Sequence, residues 1–206
     1  MRLDAARIHF EKALRLRQSR HDEWGIGNSL LNLAAVEYRA KAFDLAQQYT
    51  DRALAIANKI RDHWFTARCK TAKAVLLSDT GQIQQARNLH EENLKTFEAI
   101  GNVQGRIEAS NGLGVVDYQM SDFIRAIGWF EESLRLARLR GDQRSVAICL
   151  SNLGACHYEL KHYNHAREAL ESAALAWEVL GTPENAAMMR QQLADIEAEQ
   201  SSGTVL

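Results

Sequence analysis

Two apolar stripes at helical spacing recur every 40 residues along this chain. In one period the first stripe is Leu30, Leu31, Leu33, Ala34 and Tyr38, and the second is Phe43, Ala46, Tyr49, Ala53, Leu54 and Ala57. Spacings of three and four residues predict an amphipathic helix for each stripe. Shifted by 40, Phe43 falls on Ile83, Phe123 and Tyr163, and Ala46 falls on Ala86, Ala126 and Ala166. The end segments keep the phase: Leu3, Ala6 and Leu14 lie under Phe43, Ala46 and Leu54, and Leu153-Gly154 leads to Leu193-Ala194. A fixed period of this size predicts a solenoid, because one helix pair is too small to bury its own apolar face and covers it against its neighbours.

Short polar or glycine breaks separate the stripes, at Lys41, Gly81, Ser121 and Lys161 in one series and at Arg61, Gly101, Gly141 and Gly181 in the other. Three glycines in the second series suit the left-handed residue that ends a helix. Asp22, Asp62, Asn102, Asp142 and Thr182 follow in phase, and each can accept a hydrogen bond from the first turn of the next helix. The chain therefore reads as one all-α domain over 1–200 of about ten helices in stacked antiparallel pairs, with full repeats at 23–62, 63–102, 103–142 and 143–182. Residues 1–20 match only the second helix of a repeat, so the face of Leu3, Ile8, Phe10 and Leu14 needs cover from an upstream domain or a second copy, or tolerates exposure. Residues 184–200 match a first helix that turns polar at Glu197, Glu199 and Gln200, as a terminal cap requires, and 201–206 read as a flexible tail.

Asn32-Leu33-Ala34, Gly112-Leu113-Gly114 and Asn152-Leu153-Gly154 are each followed by Tyr38, Tyr118 or Tyr158 and then by the aromatic-plus-alanine positions of the second helix. These residues resemble the tetratricopeptide repeat signature over nearly the whole chain. The usual repeat has about 34 residues; the 40-residue form is similar to those of kinesin light chains, cell-polarity adaptors and bacterial signalling ATPases and transcription activators. The second repeat departs most, with Ala72-Lys73-Ala74 and Ser78 in the motif positions. The resemblance implies a right-handed superhelix whose first helices line a concave groove. Carried across position by position, the groove residues are Asn28, Leu31, Tyr38, Arg68, Thr71, Asn111, Tyr118, Ser151, Asn152 and Tyr158. For the three tyrosines, packing between helices and ligand contact stand as equal readings. No repeat supplies the Lys plus Asn pair with which chaperone-tail clamps hold two carboxylates, so that ligand class is not expected. What the resemblance implies is a noncatalytic scaffold for a peptide or protein segment; the alternative is the effector-sensing portion of a larger bacterial transcriptional or signalling regulator.

Composition changes this picture little. The chain has 206 residues, 46% hydrophobic, with one Pro and a formal net charge of -1, ordinary for a helical protein and unlike a nucleic-acid binder. Neither a membrane span nor a secretory signal is present in the pattern, so a cytoplasmic location is expected. Cys69, Cys149 and Cys156 read as buried thiols. The ends differ in charge: residues 1–20 carry six basic against two acidic side chains, and 168–200 carry seven acidic against Arg190. Solvated helix faces with cations in last turns are one reading, and an association surface, including a homodimer through the N-terminal helix, is the other. Enzymatic motifs are not found: His90-Glu91-Glu92 lacks the second histidine of a zinc-protease helix, and the cluster of Cys156, His157, His162 and His165 reads as chance. No catalytic residue, metal or cofactor is expected.

Overall fold

A computed structural model describes residues 2–202. Ten α-helices follow one another: α1 Arg2–Ser19, α2 Glu23–Arg39, α3 Phe43–Lys59, α4 His63–Asp79, α5 Ile83–Ala99, α6 Val103–Gln119, α7 Phe123–Arg140, α8 Gln143–Glu159, α9 Tyr163–Val179 and α10 Pro183–Ser202. Even-numbered helices are the expected first helices and odd-numbered ones the second. The expected tail at 201–206 is helical over its first two residues, and the remainder lies outside the described residues. Two compact units divide the chain, residues 1–105 and residues 106–206.

One turn geometry is used nine times. In each, one residue of the break has positive φ: His21, Lys41, Arg61, Gly81, Gly101, Ser121, Gly141, Lys161 and Gly181. Its backbone N–H bonds three residues back, and the next N–H bonds five residues back, as in Lys41 to Tyr38 and Ala42 to Glu37. That pair of bonds satisfies two of the carbonyls that a helix end leaves without partners. Five of the nine are not glycine, so the chain accepts roughly 1–2 kcal/mol at each of those turns. Side-chain caps then start the first helices: Asp22, Asp62, Asn102 and Asp142 accept from the N–H of Gly25, Phe65, Gly105 and Ser145 at 2.9–3.1 Å. Thr182 departs from the expected series, because its hydroxyl donates backward to Trp177 O.

Packing within the pairs is balanced by size. In the second unit, a Cβ on Gly114 would stand 2.5 Å from the Phe130 ring, and one on Gly154 would stand 2.6 Å from Leu170. Alanine occupies the matching first-helix positions of the first unit, at Ala34 and Ala74, and the second-helix residues there are the smaller Thr50 and the polar His90. A similar exchange spans the turn between repeats. Phe97 is 1% exposed, and a Cβ on Gly105 would come within 2.2 Å of its ring. One period earlier the sizes are reversed, with Ala57 and Phe65 in one apolar cluster that also holds Leu30, Leu31, Ala53 and Cys69. Each buried ring contributes about 1.5–3 kcal/mol.

Polar residues also reach the core, and several of them are paired there. Asn93 and Ser133 stand where Ala53 and Ala173 stand in other repeats; they donate to Ala67 O and Ile107 O, at 3.0 and 2.9 Å. Glu37, 3% exposed, receives two bonds from the Arg7 guanidinium, which fastens α1 to α2. Burial raises all three cysteine thiols, Cys69 and Cys156 to about 12. His90 Nδ1, Asn93 Oδ1 and Ser110 Oγ are buried without a hydrogen-bond partner, and burial pulls the His90 pKa down to about 4.

Two stability measurements check this description. Gly105→Ala is expected to cost about 1–3 kcal/mol in urea denaturation, and much less in a Phe97→Ala background where the ring is gone. Equal costs in both backgrounds would mean that the ring does not set the limit. Unfolded histidine binds its proton near pH 6.5 and buried His90 only near pH 4, so the unfolded state holds more protons between those values. Stability is therefore expected to fall by roughly 3 kcal/mol as pH drops from 6.5 to 4, with the slope reduced in His90→Thr, which copies Thr50.

Candidate protein-binding groove

Successive first helices are tied by bonds between residues 41 apart. Tyr38 donates to Asp79 in the first unit. Tyr118 donates to Glu159 at 3.2 Å and Tyr158 to Glu199 in the second. Each tyrosine ring also meets the first aromatic of its second helix, as Tyr38 meets Phe43 at 5.9 Å and Tyr118 meets Phe123 at 5.3 Å. Partial burial and the Asp79 bond push the Tyr38 hydroxyl up to about 12. The Glu199 bond does the same for Tyr158, and Tyr158 and Tyr163 together hold the Glu199 carboxyl below the usual range. The hydroxyls are thus engaged between helices and stay neutral, while the rings remain half-buried at the surface.

Two further expected groove residues are also committed within the fold. Thr71 Oγ1 donates to Ala67 O and accepts from Asn93 Nδ2 at 3.0 Å. Its counterpart Ser151 donates to Ala147 O and accepts from Trp177 Nε1 at 3.0 Å. Both hydroxyls pin a second helix to its first. The amides keep more capacity: Asn152 Nδ2 donates to Asn111 Oδ1 at 3.0 Å, which leaves Asn111 Nδ2 and Asn152 Oδ1 for other partners. Asn28 is half-buried on α2.

In the first unit a cavity of about 240 Å³ opens between α2 and α4. Three expected residues meet there, Leu31, Tyr38 and Arg68, with Ala35, Ala72, Val75 and Leu76 as its apolar wall. Val75 is 38% exposed, and the Arg68 guanidinium lies 4.8 Å over the Trp64 ring. A second cavity, of about 210 Å³, lies in the other unit among Tyr118, Ala155, Tyr158, Glu159, Gln192 and Asp195. Gln192 Oε1 is buried there without a hydrogen-bond donor. Asn32 and Gln192 were missing from the expected set, although they stand 120 residues before and 40 after Asn152. The period was the signal that would have included them.

Outside these cavities, His157, His162 and His165 gather with ring centroids 5.2–6.2 Å apart. Burial, then the charges of His165 and His162, lower the His157 pKa. No set of three His, Cys, Asp or Glu side chains among the described residues converges as a metal site. No helix among them is long and apolar enough to cross a membrane.

Residues 25–99 and 105–178 each match the family model of the tetratricopeptide repeat. No curated protein sequence matches the chain. BtubC (BKLC) from P. vanneervenii is similar in structure over 98% of this chain and 93% of its own, with 20% identity and a TM-score of 0.69. Aspartyl phosphate phosphatase F from Bacillus subtilis is similar over 93% of this chain with 16% identity and a TM-score of 0.80; this chain spans 52% of its length. PlcR from Bacillus thuringiensis, solved in complex with the peptide PapR7 and DNA, is similar over 90% of this chain and 69% of its own, at 11% identity and a TM-score of 0.75. At such identities the likeness concerns the fold.

The division between pinning and surface residues has a measurable consequence. Ser151→Ala removes the acceptor of Trp177 Nε1 and is expected to cost about 1–2 kcal/mol on thermal or urea unfolding. Asn152→Ala, at the half-buried surface, is expected to cost less than half of that; a reversed order would exchange the two roles.

Proposed function

The chain belongs to the tetratricopeptide repeat family, and on that premise we propose that it is a noncatalytic scaffold that captures a peptide or protein segment on the face of its first helices. The observation that carries the reading is the cavity between α2 and α4. Its aliphatic wall, partly open at Val75, suits one apolar side chain of a bound segment. Arg68 at its edge suits a carboxylate beside that side chain, held flat on Trp64 in a pre-organised position. Asn32 in the same cavity, and Asn111 and Asn152 in the second unit, can bond an extended backbone through one donor and one acceptor each. The Tyr38, Tyr118 and Tyr158 rings add contact area at little entropic cost, since their hydroxyls are already tied down. A cytoplasmic setting fits the three buried unpaired thiols.

The likeness to PlcR, solved with both a peptide and DNA, favours one second reading: the array senses an effector for a larger regulator. Under it, the same cavity receives the effector, and the output lies in another domain.

Panning a display library of short random peptides against the full chain tests the proposal. Enriched binders are expected to place an apolar residue next to an acidic one or to a free C-terminal carboxylate. Arg68→Ala and Val75→Glu, each at an accessible side chain, are expected to weaken a selected peptide at least about tenfold, or 1.4 kcal/mol, without lowering the melting temperature. A library that yields no binder, or binders indifferent to both substitutions, removes the basis for the cavity as the capture site.

A further inference from the structure

The cavity of the second unit repeats the one between α2 and α4 in phase, with different chemistry. Ala155 and Tyr158 stand three periods of 40 residues after Ala35 and Tyr38. At the same step Gln192 takes the place of Ala72, and Asp195 that of Val75. Both α2 and α4 are packed by the helices before and after them, so an opening at this place is a property of the repeat. Its two polar replacements are properties of the second unit alone.

Asp195 marks the change most sharply. The other first helices carry Ala35, Val75, Val115 and Ala155 at its position, and α10 alone has a carboxylate there. Glu159 brings a second carboxylate to the same cavity. Each accepts one bond from a neutral donor, Glu159 Oε1 from the Tyr118 hydroxyl at 3.2 Å and Asp195 Oδ1 from Gln191 Nε2 at 3.0 Å. Neither bond cancels the charge, and each carboxylate keeps its other oxygen. Among the described residues, no Lys, Arg or His side chain lines the cavity. Gln192 adds a third acceptor, because its Oε1 is buried and receives no donor from the chain. A buried acceptor without a donor costs stability, so a donor that enters beside it gains what the fold leaves unmade.

We infer that this cavity receives an arginine side chain of the captured segment, an assignment that rests on the first-helix face being the capture surface. A guanidinium presents five N–H donors in a planar fork, enough for two carboxylates and an amide oxygen on different sides. The half-buried rings of Tyr118 and Tyr158 line the cavity with their hydroxyls tied to Glu159 and Glu199, and so offer fixed faces to that plane. Ala155 and Leu170 give the methylene stem an apolar surface. A lysine ammonium supplies the charge but neither the plane nor the number of donors. Each cavity thus selects its own side chain: the first an apolar residue beside a carboxylate, the second a guanidinium.

Panning two display libraries of short peptides against the full chain, one with Arg fixed at the centre and one with Ala there, tests the assignment. The Arg library is expected to yield binders that weaken at least about tenfold on a chain with Gln192→Ala and Asp195→Val, and that keep their affinity on Arg68→Ala. The double substitution copies Ala72 and Val75, and an unchanged melting temperature checks its folding. In a selected peptide, citrulline in place of arginine keeps the shape and loses the charge. It is expected to cost at least about tenfold on the wild-type chain and little on the double variant. Lysine in its place is expected to cost at least about threefold on the wild-type chain. Binders indifferent to the double substitution or to citrulline overturn the assignment, and equal binding of the lysine peptide overturns the guanidinium. If only peptides sensitive to Arg68→Ala emerge, the assignment falls and the capture surface stands; if neither library yields a binder, both fall.

Discussion

The left-handed turn residue is the constraint on which the rest of this structure depends. Nine times the chain ends a helix with one residue at positive φ and the same two backbone bonds. Within each unit, the repeated turn keeps first-helix positions 41 residues apart within bonding reach. That is why a hydroxyl at Tyr38, Tyr118 and Tyr158 finds a carboxylate 41 residues on every time. Without a fixed phase, the exchange of size between Phe97 and Gly105, or Phe130 and Gly114, would have no fixed partner to act on.

Side-chain size at these facing positions differs from repeat to repeat, and the largest rings meet glycine. Glycine faces the large residue in the second unit, and alanine stands opposite a smaller or polar one in the first. Where Asn93 and Ser133 replace alanine, each donates to a carbonyl of its first helix. His90 occupies such a facing position without a partner for Nδ1, and burial disfavours its charged form.

The helices were legible from the apolar period, and their starts from Asp22, Asp62, Asn102 and Asp142, because caps and stripes are local signals that repeat in phase. Thr182 shows the limit of that reading: its hydroxyl donates back to Trp177 O, a bond that the residue type alone does not reveal. The same limit applies to the groove. Thr71 and Ser151 stand at groove positions, yet their hydroxyls serve Asn93 and Trp177, residues on another helix whose reach no spacing reveals. Arg68 was legible as a groove residue, but its orientation over Trp64 depends on two side chains one turn apart adopting compatible rotamers. Asn32 and Gln192 were overlooked although the period itself points to them from Asn152.

The uniform turn carries a consequence at the level of the gene. Every bond rule in this array is written in differences of sequence position that are unchanged by inserting or deleting one whole period, so a duplication or loss of 120 nucleotides in frame preserves the rules on both sides of the joint. Only facing pairs split by the joint would be mismatched, such as Phe97 set against a residue larger than Gly105. A change in array length therefore leaves most of the contacts in place, and its cost falls on the facing pairs at the joint.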